Sequence, residues 1–322
     1  MPGLEIRPFE EGDLEAAAAL LAARHAAHRR AEPLLSPRFE SPESARAELV
    51  SVWSREGTSG AIAYAGGRPV GYLLGGTKPS GTWGPNVWVE SAGFAAEEAE
   101  TVRDLYAAAA QRWVDEGRTA HYALVPSHDR DVVDAWFRLA FGHQHTHALV
   151  EAPSAPHPPV AGVTVRRPRR DDIPALAALD LALPEHQALS PVFSAGSMPT
   201  LDEARADWEE SFDDPDYTAY VAEVDGRVVG AAVACALGKS SLHEGLACPD
   251  AAGFLGFAAV LPAARGRGAG RALCQAVLDW TAEAGYRVSV TDWRATNLLS
   301  SRAWPRLGYR DTFLRLHRNI GY

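Results

Sequence analysis

The chain aligns with itself, and that constrains its fold more than any other feature. Ile6-Arg7 recurs as Val165-Arg166, Asp13-Leu14 as Asp172-Ile173, and Ala45-Arg46-Ala47 as Ala204-Arg205-Ala206, each 159 residues on. Gly67-Arg68-Pro69-Val70-Gly71 recurs as Gly226-Arg227-Val228-Val229-Gly230 at the same offset. Leu35-Ser36-Pro37 and Phe39 recur as Leu189-Ser190-Pro191 and Phe193, 154 on. Ala135-Trp136, Arg138-Leu139 and Phe141 recur as Ala303-Trp304, Arg306-Leu307 and Tyr309, 168 on. Ordered matches at a nearly constant offset mark a tandem duplication. At 322 residues the chain has length for two ordinary domains, each with its own core.

Each copy reads as a short strand followed by helices, Asp13 to His28 and Pro42 to Trp53 in the first, Asp171 to Leu181 and Leu201 to Phe212 in the second. A hairpin follows around Gly66-Gly67 or Asp225-Gly226. A strand, a long helix, a strand, a short helix and a last strand complete each copy. Strands alternating with helices predict an α/β fold with a mixed sheet in each copy. Prolines 153, 156, 158 and 159 mark a linker with too few apolar residues to pack well. The expected domains are therefore 1–150 and 163–322, joined by 151–162.

Composition narrows the function classes. The net charge of -10 and the lack of a long basic run disfavour a nucleic-acid partner. The most apolar stretch, Ala251 to Ala264, is too short to span a bilayer, and the first residues lack a signal-peptide pattern, so no membrane role and a cytoplasmic location are expected. Cys235, Cys248 and Cys274 are odd in number and not at ligand spacing, which indicates neither a disulfide framework nor a metal site. Cys248 and Cys274 could suggest a covalent acyl-enzyme, but neither has a histidine partner evident in the sequence, and we read both as structural.

The two copies differ most where an apolar strand from Gly253 to Leu261 runs into Pro262-Ala263-Ala264-Arg265-Gly266-Arg267-Gly268-Ala269-Gly270-Arg271 and then into a helix. Glycines at a helix start let backbone amides approach an anion, and the helix dipole favours it. At the offset of 168, Arg265, Gly268 and Gly270 stand opposite Glu97, Glu100 and Val102. The first copy thus carries carboxylates that repel a pyrophosphate, and we expect it to be a scaffold that has lost anion binding.

Arg-x-x-Gly-x-Gly after a hydrophobic strand resembles the pyrophosphate motif of the GNAT superfamily of N-acetyltransferases. Asn297 and, eleven residues later, Gly308-Tyr309 resemble that family's asparagine, helix and Gly-aromatic ending. The resemblance implies two tandem domains, each with a mixed, splayed central sheet flanked by helices. In the second copy the splay lies between Phe254 to Leu261 and Val288 to Trp293, where acetyl-CoA enters; no metal is implied. The implied binding residues are Arg265, Gly266, Arg267, Gly268, Ala269, Gly270 and Arg271 for the pyrophosphate, a backbone amide near Ala259 or Val260 for the thioester oxygen, and Asn297 with Trp304 on the following helix.

The implied reaction is direct attack of a neutral amine, from a small molecule or a protein, on the thioester. Here the chain departs from the family: many members have a tyrosine seven residues after the asparagine, positioned to protonate the thiolate, whereas Trp304 stands there. Trp136 holds the matching place in the first copy, which favours packing as the role of both. The fourth strand lacks the acidic residue that members often carry. Asp292, opposite Leu124 of the first copy, is the first candidate base, with an ion pair to Arg294 as its structural alternative. His243 and Glu244 before the cofactor strand come second, and His186 with Glu185 third. A non-catalytic acetyl-CoA-binding or regulatory protein is the alternative reading. Tandem copies can stand in for a dimer, so a monomer or a homodimer is expected.

Overall fold

The computed structural model describes residues 3–194, 196, 198–240 and 243–321, with the Thr82 side chain left aside. The first copy comprises β1 (Leu4–Pro8), α1 (Leu14–Ala31), α2 (Pro42–Trp53), β2 (Ser59–Ala65), β3 (Arg68–Gly75), α3 (Ser80–Trp83), β4 (Asn86–Val89), β5 (Phe94–Ala96), α4 (Ala99–Asp115), β6 (Ala120–Pro126), α5 (Arg130–Phe137) and β7 (Gly142–Glu151). The second comprises β8 (Thr164–Arg166), α6 (Ile173–Ala188), α7 (Leu201–Ser211), β9 (Tyr217–Val224), β10 (Arg227–Ala236), β11 (Ala252–Val260), α8 (Ala269–Glu283), β12 (Val288–Arg294), α9 (Leu298–Arg306) and β13 (Arg310–Asn319). Apart from α3 and β4, which the second copy does not repeat, the elements recur in the order that the duplication requires. Helix α6 runs on to Ala188 through Pro184, beyond the expected Leu181.

The chain divides into two compact units. One holds the residues up to His147 together with Glu244–Asp250 and the chain from Asp311 onward; the other holds Ala148–His243 and Ala251–Arg310. In the first unit β1-β2-β3-β5 form an antiparallel sheet. There β4 pairs in parallel with β6, and β13 pairs antiparallel with β6 from Phe313 opposite Pro126 to Asn319 opposite Ala120. The last strand of the second repeat thus completes the first unit's sheet. In the second unit β8, β9, β10 and β11 are antiparallel neighbours and β12 joins β11 in parallel.

Both copies start with the same clamp. Arg7 grips both carboxylate oxygens of Asp13 at 2.8 and 2.5 Å, and Arg166 grips those of Asp172 at 2.6 and 3.0 Å. Each carboxylate also accepts a backbone amide three residues earlier, Glu10 or Arg169, and so fixes where strand hands over to helix. Arg166 lowers the Asp172 carboxyl below its ordinary 3.8, outweighing burial, which pushes the other way. A carboxyl with a lowered folded value contributes stability that is present above 3.8 and lost as pH falls below it. Asp172→Asn is therefore expected to flatten the acid side of the stability profile below about pH 4, read by urea unfolding at stepped pH. An acid limb as steep as in the parent would refute the clamp's role.

The apolar spacing of α4 places Val102, Leu105, Tyr106, Ala109 and Trp113 against the first unit's sheet, and that of α8 places Ala269, Leu273, Val277 and Leu278 against the second's. The two short helices end alike. Phe141 and Ala140 donate their amides to the Trp136 and Phe137 carbonyls, and Tyr309 and Gly308 donate theirs to Trp304 and Pro305. The left-handed residue that this ending needs is Gly308 (φ 93°) in one copy and Ala140 (φ 63°) in the other. Pro305 thus falls in the last turn of α9.

Residues between the copies are better packed than their composition suggests. His157 donates its backbone amide to the Asp279 carboxylate, its ring Nδ1 lies 2.7 Å from the same group, and Val160 is 8% exposed. Among the described residues no helix is long and apolar enough to cross a membrane, and no group of His, Cys, Asp and Glu could hold a metal ion.

Candidate functional site

In the second unit two parallel strands begin as partners and then part. β11 and β12 pair only at Ala252 with Val288, Gly253 with Ser289 and Phe254 with Val290, although each strand runs on. On its other side β11 stays with β10, where the register steps past Gly256 between the pairs Leu255–Ala234 and Phe257–Val233. Such a bulge bends the strand away from its neighbour. Thr291 Oγ1 donates to the Leu255 carbonyl at 2.9 Å and marks the base of the fork.

Side chains alternate along β12. Ser289 bonds the buried Tyr309 hydroxyl, and Trp293 packs in the α8 core. Asp292 and Arg294 therefore project to the other face, where Arg294 Nε donates to Gln187 Oε1 of α6 at 3.1 Å. Burial holds the Arg294 guanidinium below its ordinary 12.5, and the charge of Asp292 opposes that shift.

The glycine turn leads into α8 through Gly266 and Gly268, both left-handed at φ 80° and 88°. Gly268 is the N-cap residue, and a Cβ there would also meet Val160 Cγ1 at 2.8 Å, so this glycine serves both the turn and the linker's packing. The first helical bond after the turn runs from the Ala272 amide to the Gly268 carbonyl. The amides of Ala269, Gly270 and Arg271 precede it and point outward as an anion cradle.

A cavity of about 660 Å³ extends from this cradle along the parted edge of β11 to α9. Ala259, Val260, Arg265, Gly266, Gly268, Ala269, Gly270, Arg271 and Trp304 line it. Arg267 and Asn297 do not. Arg267 is exposed and bonds Asp225 at 2.9 Å. Asn297 is 3% exposed and caps α9, its Oδ1 accepting the Leu299 and Ser300 amides at 3.2 and 3.3 Å. Sequence reasoning missed Leu183 of α6 and the α9 positions Leu299, Ser300 and Ala303. The α9 positions follow from helical spacing after Asn297; Leu183 carries no local signal.

The first and second candidate bases are placed apart from that lining. Asp292 stands on β12 as described. His243, in the second unit, is buried, with Nδ1 2.9 Å from Ser240 Oγ and its ring 5.1 Å from that of Phe254. Glu244 belongs to the first unit, where it is exposed and paired with Arg55 at 3.4 Å. His186 does line the cavity, with Nε2 3.2 Å from Asn297 Oδ1. Cys248 and Cys274 are held as neutral thiols by burial, up to about 11 and about 12.

In the first unit the carboxylates opposite the glycine turn are paired with arginines at the surface. Glu97 is gripped by Arg68, which lowers its carboxyl, and Glu100 by Arg103 and Arg138 at 2.5 and 2.8 Å. Trp136 is fully buried, packed against Phe94, Tyr106 and Phe141 with centroids 4.8 to 5.8 Å away.

Comparison with known proteins agrees with this geometry. The family model for the acetyltransferase (GNAT) family matches residues 183–309. A GCN5-related N-acetyltransferase from Sphaerobacter thermophilus superposes with a TM-score of 0.55 at 16% identity, over 99% of this chain and 97% of that one. A fungal GCN5-related glucosamine N-acetyltransferase region, within a multi-domain GH3 β-N-acetylglucosaminidase, gives 0.51 at 14% identity over 98% of this chain and 38% of that one. A tandem GNAT protein from the clavulanic acid biosynthesis pathway gives 0.47 at 16% identity, over 99% of both chains. No curated protein matches this sequence. Residues 183–309 of the second repeat are thus similar to the acetyltransferase (GNAT) family, and over the whole chain the fold is that of a GCN5-related N-acetyltransferase.

Proposed function

We propose that the second unit binds acetyl-CoA and transfers its acetyl group to a primary amine of a small molecule or protein. The observation that carries this reading is the cavity that joins the amide cradle before α8 to the parted edge of β11. The residues fit the cosubstrate. The amides of Ala269, Gly270 and Arg271, with Arg265 and Arg271 beside them, suit a pyrophosphate. The apolar wall of Ala258, Val260, Ala303 and Trp304 suits a thin pantetheine arm. Bound there, acetyl-CoA supplies an activated acyl group. Amides of β11 past Phe254 have no β12 partner and are the donors we assign to the developing oxyanion. The first unit acts as a scaffold, its equivalent turn satisfied by its own arginines.

Asp292 is our assignment for the group that takes a proton from the incoming ammonium, because β12 presents it on the α6 face just beyond the fork. Asp292→Asn is expected to lower kcat about a hundredfold below the amine's own pKa and much less above it. An unchanged pH–rate profile would remove Asp292 from the mechanism.

A non-catalytic acetyl-CoA sensor is the second reading, favoured by the indole of Trp304 where a phenol would serve as acid. Calorimetry with coenzyme A, followed by thiol release from acetyl-CoA with a panel of primary amines, separates the two. Binding with turnover supports the enzyme; binding without turnover supports the sensor; no binding refutes both.

A further inference from the structure

We infer that His186 is a catalytic residue, a proton relay from the attacking nitrogen to the departing sulfur. The inference rests on the acetyltransferase reading of this cavity and supplies the acid that Trp304 cannot. Three observations lead to it. His186 lines the cavity with Ala258, Ala259 and Val260 of the parted strand and Trp304 of α9. Its Nε2 lies 3.2 Å from Asn297 Oδ1. Asn297 cannot be turned round, because its Oδ1 also accepts the Leu299 and Ser300 amides, and a flip would set an NH₂ against two donors.

An acceptor fixed on one side decides the tautomer on the other. Nε2 must carry its hydrogen toward Asn297, so a neutral His186 holds its lone pair on Nδ1. Asn297 is a positioning residue, in the manner of a group that orients a catalytic imidazole. The balance then closes within the site. As the C–N bond forms, Nδ1 takes the proton released by the nitrogen; as the C–S bond breaks, Nδ1 gives that proton to sulfur. The imidazole returns to its starting tautomer, and no further reactant is needed.

Other charged groups bear on His186. Arg265, Arg271 and Arg306 line the same cavity, Glu185 adjoins it on α6, and Asp292 and Arg294 stand on the β12 face toward α6. Six residues earlier on α6, Asp180 is pushed up to about 6 by burial, opposed by its bond from Trp208, and lines a separate cavity. A pH limb belonging to Asp180 would survive substitution of His186, so the two are separable.

The test uses the full chain. Wild type and His186→Gln are compared for coenzyme A affinity by calorimetry and for turnover with the best amine of the panel. His186→Gln is expected to bind coenzyme A within about threefold of wild type, which shows that the cavity has folded, and to lose about a hundredfold in kcat. One limb of the wild-type pH–rate profile should vanish in His186→Gln, and added imidazole should restore part of the rate to His186→Ala. Independently of turnover, ¹⁵N spectra should show Nε2 protonated, with the Nδ1 signal moving on addition of coenzyme A and not of desulfo-coenzyme A. A kcat within threefold of wild type with the same pH limb, or an Nδ1 signal indifferent to the thiol, would overturn the relay while leaving the acetyltransferase reading intact. A wild type that binds coenzyme A and releases no thiol with any amine overturns both.

Discussion

Gly270→Asp is expected to weaken coenzyme A binding about a hundredfold while leaving the apo protein at least as stable as wild type. The two effects have opposite signs for separate reasons. Gly270 is the second residue of α8, and a Cβ there would lie 3.7 Å from Val260 Cγ2, an ordinary contact. A carboxylate in the first turn of a helix meets the positive end of its dipole, which stabilises by about 0.3–1 kcal/mol, and aspartate is a slightly better helix former than glycine. The same carboxylate stands in the cradle assigned to the pyrophosphate. At about 4 Å and an effective dielectric of about 20, one like-charge pair costs about 4 kcal/mol, and partial solvent exposure reduces this to about 3 kcal/mol, a factor of about a hundred. Gly268 is the poorer site for the experiment, since its left-handed backbone and its contact with Val160 would confound binding with folding. Calorimetry for affinity and thermal unfolding for the apo protein check both halves. Unchanged affinity would end the pyrophosphate assignment.

What the sequence discloses and what it conceals divide along physical lines. The duplication, the helices from Pro42 and Leu201, the hairpins at Gly66-Gly67 and Asp225-Gly226 and the glycine turn are local patterns, and each is found where its residues predict it. Parting of β11 from β12 is legible only through the family resemblance, because a bulge at Gly256 leaves no mark in hydrophobic alternation. The exchange of β13 into the first unit is not legible at all. Duplicated strands have interchangeable patterns, and which sheet an end strand joins is decided by long-range pairing such as Phe313 with Pro126. His186 shows the same limit at the site. Its value lies in a contact with Asn297, 111 residues away, and only tertiary structure reveals it.

The repeated tryptophans give the sharpest comparison of the two copies, because their sequence surroundings are alike and their packing is not. Trp136 is fully buried in the first unit, meeting Phe94, Tyr106 and Phe141 edge-on. Trp304 is only half-buried: it packs against the edge of the second unit's core, with Tyr309 at 5.6 Å, and lines the cavity. Removing a buried indole forfeits its transfer energy and leaves a hole that tight aromatic neighbours cannot close. Trp136→Ala is therefore expected to cost about 3–5 kcal/mol of stability, with coenzyme A affinity of the folded protein unchanged within about threefold. Trp304→Ala leaves a wall of an open groove, where solvent enters and no sealed void forms, so its stability cost should be about 1 kcal/mol. Its loss appears in binding instead: an indole face giving up about 60 Å² of ligand contact loses about 1.5 kcal/mol, or about tenfold in affinity. Urea unfolding and coenzyme A calorimetry on both variants make a crossed test. If Trp304→Ala lost stability like Trp136→Ala and kept its affinity, the indole would be core in both copies and the cavity wall assigned to coenzyme A would lie elsewhere.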